Sequence, residues 1–523
     1  MELTDFQIHG GHCIDHCPAS ARFQEVWDEA CGTFAVGCGM GDCHIRRRLA
    51  AFPDGTRRIR PLRYGGGVTR PESHGLFSSC SEHEKRVSLQ PLASLSDASA
   101  GLGTLLVFMV PMACAGLALL NTGLGRSRSA AHAMLSSLCV LSVAAIVYVV
   151  FGFSVQGAYG RPAHALVLGG KPWNWIAAEP VFLRGLRLDF SAISLTVLLQ
   201  IFSVGLAALV PLSSGAERWR LGATCGSTAL LAGWTYPLFA HWVWGGGWLA
   251  QLGLNYGLGS GLMDGGGSGT IQVVGGVTAL SITWILGPRS GKYSQNGTSA
   301  AIPAHNVVLV LLGCLFAWLG WLGLNSAGAI LLSGVEPSRV ILIAINTTLS
   351  AAASGLTASA VTRIRFGRPD ASLVANAWMA GLVASSAGAA FVRPAAAILV
   401  GSIAGVLVPF SVDLLESRLA VDDPGGAVSV HAIAGVWGLF AVGALSDAGL
   451  QGGSRGQWLA QLVGIATLLG FILPLTYGLN WLLDRVYRQR VDVEGEWRGM
   501  DLHELGAGAY PEFVVHSDDF IQG

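Results

Sequence analysis

Charge is scarce in this 523-residue chain: Lys, Arg, Asp and Glu make up 12% of it, 32 basic against 32 acidic residues, and the formal net charge is zero. Without a basic surplus there is no electrostatic case for a nucleic-acid partner. Cysteine is thin along most of the length. Six of the ten (Cys13, Cys17, Cys31, Cys38, Cys43, Cys80) fall in the first 80 residues, and the other four (Cys114, Cys139, Cys225, Cys314) sit inside apolar segments, where thiols pack as small hydrophobes. The run HGGHCIDHC, with GCGMGDCH further on, has the residue types of a metal site but matches no standard zinc spacing, so no metal is expected. Residues 1–94 also lack the apolar core of a signal peptide and any sustained helical period. They read as a polar extension, disordered or an artefact of the start site. Nothing in the chain points to covalent catalysis, nucleotide hydrolysis or a redox cofactor, so neither an enzyme nor a cofactor is expected.

What is abundant is apolar sequence. Hydrophobic residues make up 52% of the chain, and the mean hydropathy of +0.53 is too high for a soluble protein of this length. The 71 glycines fit a membrane protein, because Gly lets helices in lipid approach closely. From Ala98 to Val486, apolar runs recur at about 18–25 residues, the length that crosses a bilayer. Eleven are predicted, near 98–121, 131–152, 189–213, 221–243, 268–288, 305–326, 337–361, 371–388, 394–416, 428–446 and 457–484. Short basic loops carrying Arg126 and Arg128, Arg218 and Arg220, Arg289 and Lys292, and Arg363, Arg365 and Arg368 alternate with loops poor in Lys and Arg. The positive-inside rule then places the N-terminus outside and the C-terminus in the cytoplasm.

An internal echo runs through these spans. GLALLN, Gly116 to Asn121, recurs as GWLGLN, Gly320 to Asn325. TIQVVGGV around Gln272 recurs as SVHAIAGV around His431, and each central polar residue stands eight positions after an Asp, Asp264 and Asp423. Spans one to five and six to ten therefore read as inverted halves with span eleven appended, an arrangement that puts a substrate site between the halves near the midplane.

Gln272 and His431 are polar groups in mid-span, where an unpaired polar side chain is costly. They either line a cavity at the pseudo-twofold axis or hydrogen-bond a neighbouring helix. Asp264, before GGGSG, is placed to cap a helix N-terminus, and its charge would also be felt by a cation at the mouth of a cavity. Trp244, in FAHWVWGGGW, suits an interfacial anchor, or the face of a vestibule that attracts a small cation. Trp321 raises the same two readings.

The stretches HWVWGGG, MDGGGSGTIQVVGGV followed by GPRSGKY, GWLGLN and VDDPGGAVSVHAIAGVWGLFAVG, with the tail GMDLHELGAGAY from Gly499 to Tyr510, resemble in order and spacing the signature segments of the Amt/Mep/Rh ammonium transporters. The DDP run and Trp244 look more like the Amt branch than the Rhesus branch. The resemblance covers residues 95 to 510. It implies an all-α bundle of eleven transmembrane helices in the bacterial inner membrane, an inverted 5+5 repeat plus one, over residues 95–486. It further implies a homotrimer with one ammonium/ammonia pore per subunit, and a cytoplasmic regulatory tail over 487–523 on whose face a PII-type signal protein docks. By the same resemblance Trp244 lines an outer cation site, Asp264 organises it, and His431 is the second of two pore histidines.

Departures from the family pattern fall on the pore. The first pore histidine falls on Gln272, a hydroxyl of the outer site on Gly328, a gate phenylalanine on Leu324 three residues after Trp321, and two phenylalanines of the third span on Leu199 and Ser203, with Phe202 one residue away. An amide does not titrate near neutral pH, so Gln272 and His431 cannot form a two-imidazole proton relay. Ammonium transport through an altered pore is therefore the first expectation. A sensor that signals through its tail with little transport, and a leaky pore, are its rivals.

Overall fold

The computed structural model describes residues 95–447 and 455–510. The extension 1–94, with its Cys and His runs, and residues 511–523 of the tail lie outside the described residues. Among the described residues, nine helices are long and apolar enough to cross a membrane. In chain order the helices used below are α1 (Asp97–Leu124), α2 (Ala130–Val147), α3 (Ala192–Ser214), α4 (Leu221–Leu230), α5 (Tyr236–Val243), α6 (Val274–Leu286), α7 (Val307–Ser333), α8 (Val340–Phe366), α9 (Ala371–Ser386), α10 (Pro394–Ser417), α11 (Ala434–Leu445), α12 (Gln457–Thr467), α13 (Leu473–Val486) and α14 (Val493–Arg498). Two of the eleven expected spans are not among the nine: α9 has 16 residues, and α4 and α5 are joined through a π-helical turn, Leu231–Thr235.

Local sequence sets the helix ends. Asn306 Oδ1 accepts the Leu309 amide at 2.9 Å before α7, and Asp370 Oδ1 accepts that of Leu373 at 2.9 Å before α9. Val308, Leu356 and Ile364 are 77%, 74% and 84% exposed, while Gln200, Gln272 and Asn346 are sealed inside a core that is otherwise largely apolar. Large apolar side chains facing outward fit a lipid solvent.

The first helices of the two halves pack antiparallel. Gly116 of α1 lies against the backbone of Gly313 and Ala317 in α7, and Gly320 of α7 against Ala113. The echo GLALLN/GWLGLN is thus partly a packing signal, since small residues let the two backbones meet.

The bundle is not all-α. Between α2 and α3, strands β1 (Ala163–Leu168) and β2 (Lys171–Ala177) form an antiparallel hairpin. Its two-residue turn is Gly169-Gly170, with φ of 60° and 76°, the conformation a tight hairpin of twisted strands requires. The hairpin carries Trp175 onto Trp242 and Trp248, with ring centroids 5.1 and 6.3 Å apart. This is the aromatic end of the bundle. The end holding Arg126, Arg218, Arg289 and Arg490 is the basic end.

Candidate functional site

Each half delivers its central polar residue by the same local device. Asp264 Oδ2 accepts the amides of Gly269 at 3.1 Å and Thr270 at 2.8 Å, and the Thr270 hydroxyl at 2.9 Å. Asp423 Oδ2 accepts the amide of Val428 at 2.7 Å, and its Oδ1 takes the Ser214 hydroxyl at 2.7 Å. Both carboxylates thereby cap the residue five positions on, and in both halves the helix then opens with a π-turn, Ser268–Val273 and Val428–Ile433. A π-turn widens the helix and turns its side chains off the α-helical register, a feature that concentrates at functional positions.

Gln272 and His431 sit on those two turns, and they meet: His431 Nδ1 lies 2.7 Å from Gln272 Oε1, with both side chains buried. An amide oxygen only accepts, so His431 Nδ1 carries the proton and Nε2 presents a lone pair. Gln272 Nε2 has no partner among the described residues. The contact needs two glycines, each four residues further on. A Cβ at Gly276 would stand 2.4 Å from Ala432 N, and one at Gly435 2.7 Å from Ser268 O. Gly276→Ala is therefore expected to destabilise the fold by about 1–3 kcal/mol and to separate the pair. Thermal unfolding of the variant beside the parent, with the Gln272–His431 distance from a structure of the variant, checks this.

Above the pair lies the Asp264 turn. Trp244 Nε1 donates to the Asp264 carbonyl at 2.9 Å, and Asp264 Oδ1 is buried without a partner among the described residues. Gly328 is brought to the same turn for a steric reason: its Cβ would stand 2.5 Å from the Gly265 carbonyl, so α7 packs directly on the loop backbone there. Trp321 is sealed, its Nε1 donating to Ser386 Oγ at 3.0 Å, and Leu324 is buried beside it on α7. On α3, the Ser203 hydroxyl donates to the Leu199 carbonyl at 2.8 Å, and both residues are fully buried.

Phe202 is part-buried, on another face of α3 from Leu199 and Ser203, because neighbouring residues on a helix point about 100° apart. A fully buried aromatic of α5, Tyr236, reaches this stretch of α3: its hydroxyl donates to Gln200 Oε1 at 2.6 Å. The signal for Tyr236 and Gln200 was present in the sequence as polar residues in mid-span.

At the basic end the loop motifs meet. Arg289 of GPRSGKY donates to Asp422 of VDDPGG through Nε and Nη2, both at 2.9 Å, and through Nη1 to Glu217 at 2.9 Å. Arg126 pairs with the other Glu217 oxygen, and Arg218 donates to the Asp422 carbonyl at 2.8 Å. Burial would raise the Asp422 carboxyl, but the Arg289 hydrogen bonds and the charges of Arg218 and Arg289 hold it down to about 2. The segment after α13 returns to this end. Asp501 accepts the amides of Ala131 and His132 at 3.1 and 2.7 Å, and Glu504 accepts that of Leu221 at 3.0 Å, so it supplies the N-terminal caps of α2 and α4.

Comparison with known proteins places this geometry. The family model described as Ammonium Transporter Family matches residues 102–510. Ammonium transporter Amt2 of Archaeoglobus fulgidus is 35% identical over 423 residues, covering 78% of this chain and 87% of the relative. The ammonium transporter of Bacillus subtilis is 31% identical, over 76% of this chain and 94% of its own length. Among solved structures, one described as Sensor Amt Protein aligns with a TM-score of 0.69 at 28% identity, covering 77% of this chain and 97% of that one.

Proposed function

Because this chain is a multi-pass membrane protein that belongs to the Ammonium Transporter Family, we propose that it carries ammonium as ammonia across a bacterial inner membrane, through one pore in each subunit of a homotrimer. In this reading α9 and the broken α4–α5 also cross, giving eleven spans. The basic end faces the cytoplasm and the N-terminus the outside, as the positive-inside rule requires. The ion is drawn to the aromatic end by the face of Trp244 and the field of Asp264. It sheds its proton near Tyr236, Leu199, Ser203, Trp321 and Leu324, and ammonia passes Gln272 and His431.

The observation that carries the proposal is the 2.7 Å contact between His431 Nδ1 and Gln272 Oε1 where the two halves cross. It leaves an imidazole lone pair and an unpaired amide N–H pair to hydrogen-bond a small polar solute that both donates and accepts. Current recorded on purified protein in a supported membrane tests it. Ammonium pulses are expected to give a transient that potassium pulses do not, and equal currents would mean a leak.

A sensor is the second reading. It is favoured by the missing second imidazole and by the likeness to the protein described as Sensor Amt Protein, and it predicts no transient for either ion. Under both readings residues 487–523 regulate the bundle, and a PII-type protein docks on that face. Ending the chain after Val486 is expected to leave a folded bundle destabilised by about 1–2 kcal/mol, the worth of the helix caps that Asp501 and Glu504 provide, with reduced uptake. Thermal unfolding and uptake into proteoliposomes check it, and undiminished uptake removes the regulatory role.

A further inference from the structure

Seven buried side-chain amides leave an atom without a hydrogen-bond partner among the described residues. Five are asparagines, and each leaves its oxygen bare: Asn121, Asn325, Asn346, Asn376 and Asn480. The other two, Gln200 and Gln272, leave Nε2 bare. An under-used carbonyl oxygen is the more ordinary case inside a protein, whereas a buried N–H without an acceptor is rare and needs a reason.

Both glutamines are fully buried, and in both the oxygen is already spent. The Tyr236 hydroxyl donates to Gln200 Oε1 at 2.6 Å, and His431 Nδ1 donates to Gln272 Oε1 at 2.7 Å. With its oxygen held, an amide offers a passing solute only its N–H groups. Gln200 stands with the residues of the proposed gate. At about 100° per residue it lies one step from Leu199 on α3 and about 60° around the helix from Ser203.

Lone pairs separate the species that could reach this point. Ammonia has one and accepts a hydrogen bond; ammonium has none, and potassium is a bare positive charge. The N–H end of a fixed amide therefore attracts ammonia and repels both ions, more strongly inside the bundle than in water because the local dielectric is low. We infer that Gln200 is a specificity-determining residue of the pore, one whose bare N–H pair admits neutral ammonia and turns back intact ammonium and potassium. The inference rests on the transport reading above. It also gives Tyr236 a task, which is to hold the amide with its donors turned to the solute. Gln272 repeats the same donor end at the crossing of the two halves.

The test is electrical recording on the purified full chain with ammonium and potassium pulses. Gln200→Glu keeps the shape of the side chain and an acceptor for Tyr236, but replaces the donor end with oxygen. Potassium pulses, silent in the parent, are expected to give a transient in this variant, raising the potassium-to-ammonium ratio about tenfold or more, the scale of a hydrogen bond to a charged group. That transient is expected to grow from about pH 6 to about pH 9, as the buried carboxyl loses its proton. Gln200→Met, which has neither donor nor charge, is expected to lower the ammonium transient about fivefold, the loss of one neutral hydrogen bond, and to stay silent to potassium. Silence to potassium in Gln200→Glu at every pH overturns the assignment. So does a potassium transient that choline, a much wider cation, matches, since that comes from a disrupted bundle. An unchanged ammonium transient in Gln200→Met overturns it as well, without requiring a carboxylate to fold into the core. A parent that gives no ammonium transient overturns the transport reading instead, and a potassium transient in Gln200→Glu then still places the barrier to ions at Gln200.

Discussion

Replacing Gln272 with histidine is expected to raise the ammonium-evoked current of the purified protein by about tenfold at neutral pH and to leave the response to potassium unchanged. His431 already occupies the crossing of the two halves, with its Nδ1 proton directed at position 272 and the lone pair of Nε2 free. An amide at 272 fixes that tautomer but cannot take the proton. A second imidazole can, and the pair then passes a proton along a chain of two titrating groups. Positioned proton transfer contributes roughly a hundredfold or more where nothing else limits the rate. The smaller figure follows from the proposed pore, in which Ser203 and Leu324 take gate positions without an aromatic ring to keep water from the pair. His431→Ala is expected to remove most of the current that the parent shows. Ammonium and potassium pulses on the parent and both variants decide it. If neither substitution changes either current, Gln272 and His431 only join helices.

The second large effect lies at the basic end. Asp422→Asn is expected to cost roughly 3–5 kcal/mol of stability, because it leaves the buried guanidinium of Arg289 without its bidentate partner. The double variant Asp422→Leu with Arg289→Met should recover much of that loss, since removing both charges also removes their desolvation cost. The same pair sets an acid limit. Asp422 is held down to about 2, below the ordinary carboxylate value near 4. Its contribution, about 2 kcal/mol, is therefore fully present above pH about 4 and is lost as the pH falls through 2. In the Asn variant that acid-dependent step disappears. Unfolding of the parent and variants in detergent between neutral pH and pH 2 measures both effects.

The meeting of Gln272 and His431 was legible because the spacing from Asp264 and Asp423 repeats, and a repeated spacing on inverted halves implies a shared axis. The packing that allows it was not. Gly276 and Gly435 are two among 71 glycines, and the backbone that an added Cβ would meet there at 2.4–2.7 Å belongs to the opposing turn, not to the local sequence. Gly328 shows the same limit. Its register follows from GWLGLN, but the steric need for glycine there comes from the Gly265 carbonyl, on a different part of the chain.

The β1–β2 hairpin escaped notice because an apolar and aromatic stretch of this length is ambiguous between strand and loop, although Gly169-Gly170 between two such runs is a turn signal. The basic loops were read for orientation alone. Periodicity says nothing about which loop residue finds which, so the burial of Arg218, Arg289, Glu217 and Asp422 in one network had no trace in the pattern.

The two caps supplied by Asp501 and Glu504 also order events during synthesis. The His132 amide waits for a carboxylate 369 residues downstream, and the Leu221 amide for one 283 residues downstream. At about 5–20 residues per second, the bacterial-to-eukaryotic range of elongation, those intervals last on the order of tens of seconds. Through that time α2 and α4 keep bare N-termini. The basic end can therefore close only once residues 501–504 have been made. A ribosome that stops before them leaves a protein whose helices are present but whose basic end is still open to solvent and to proteases.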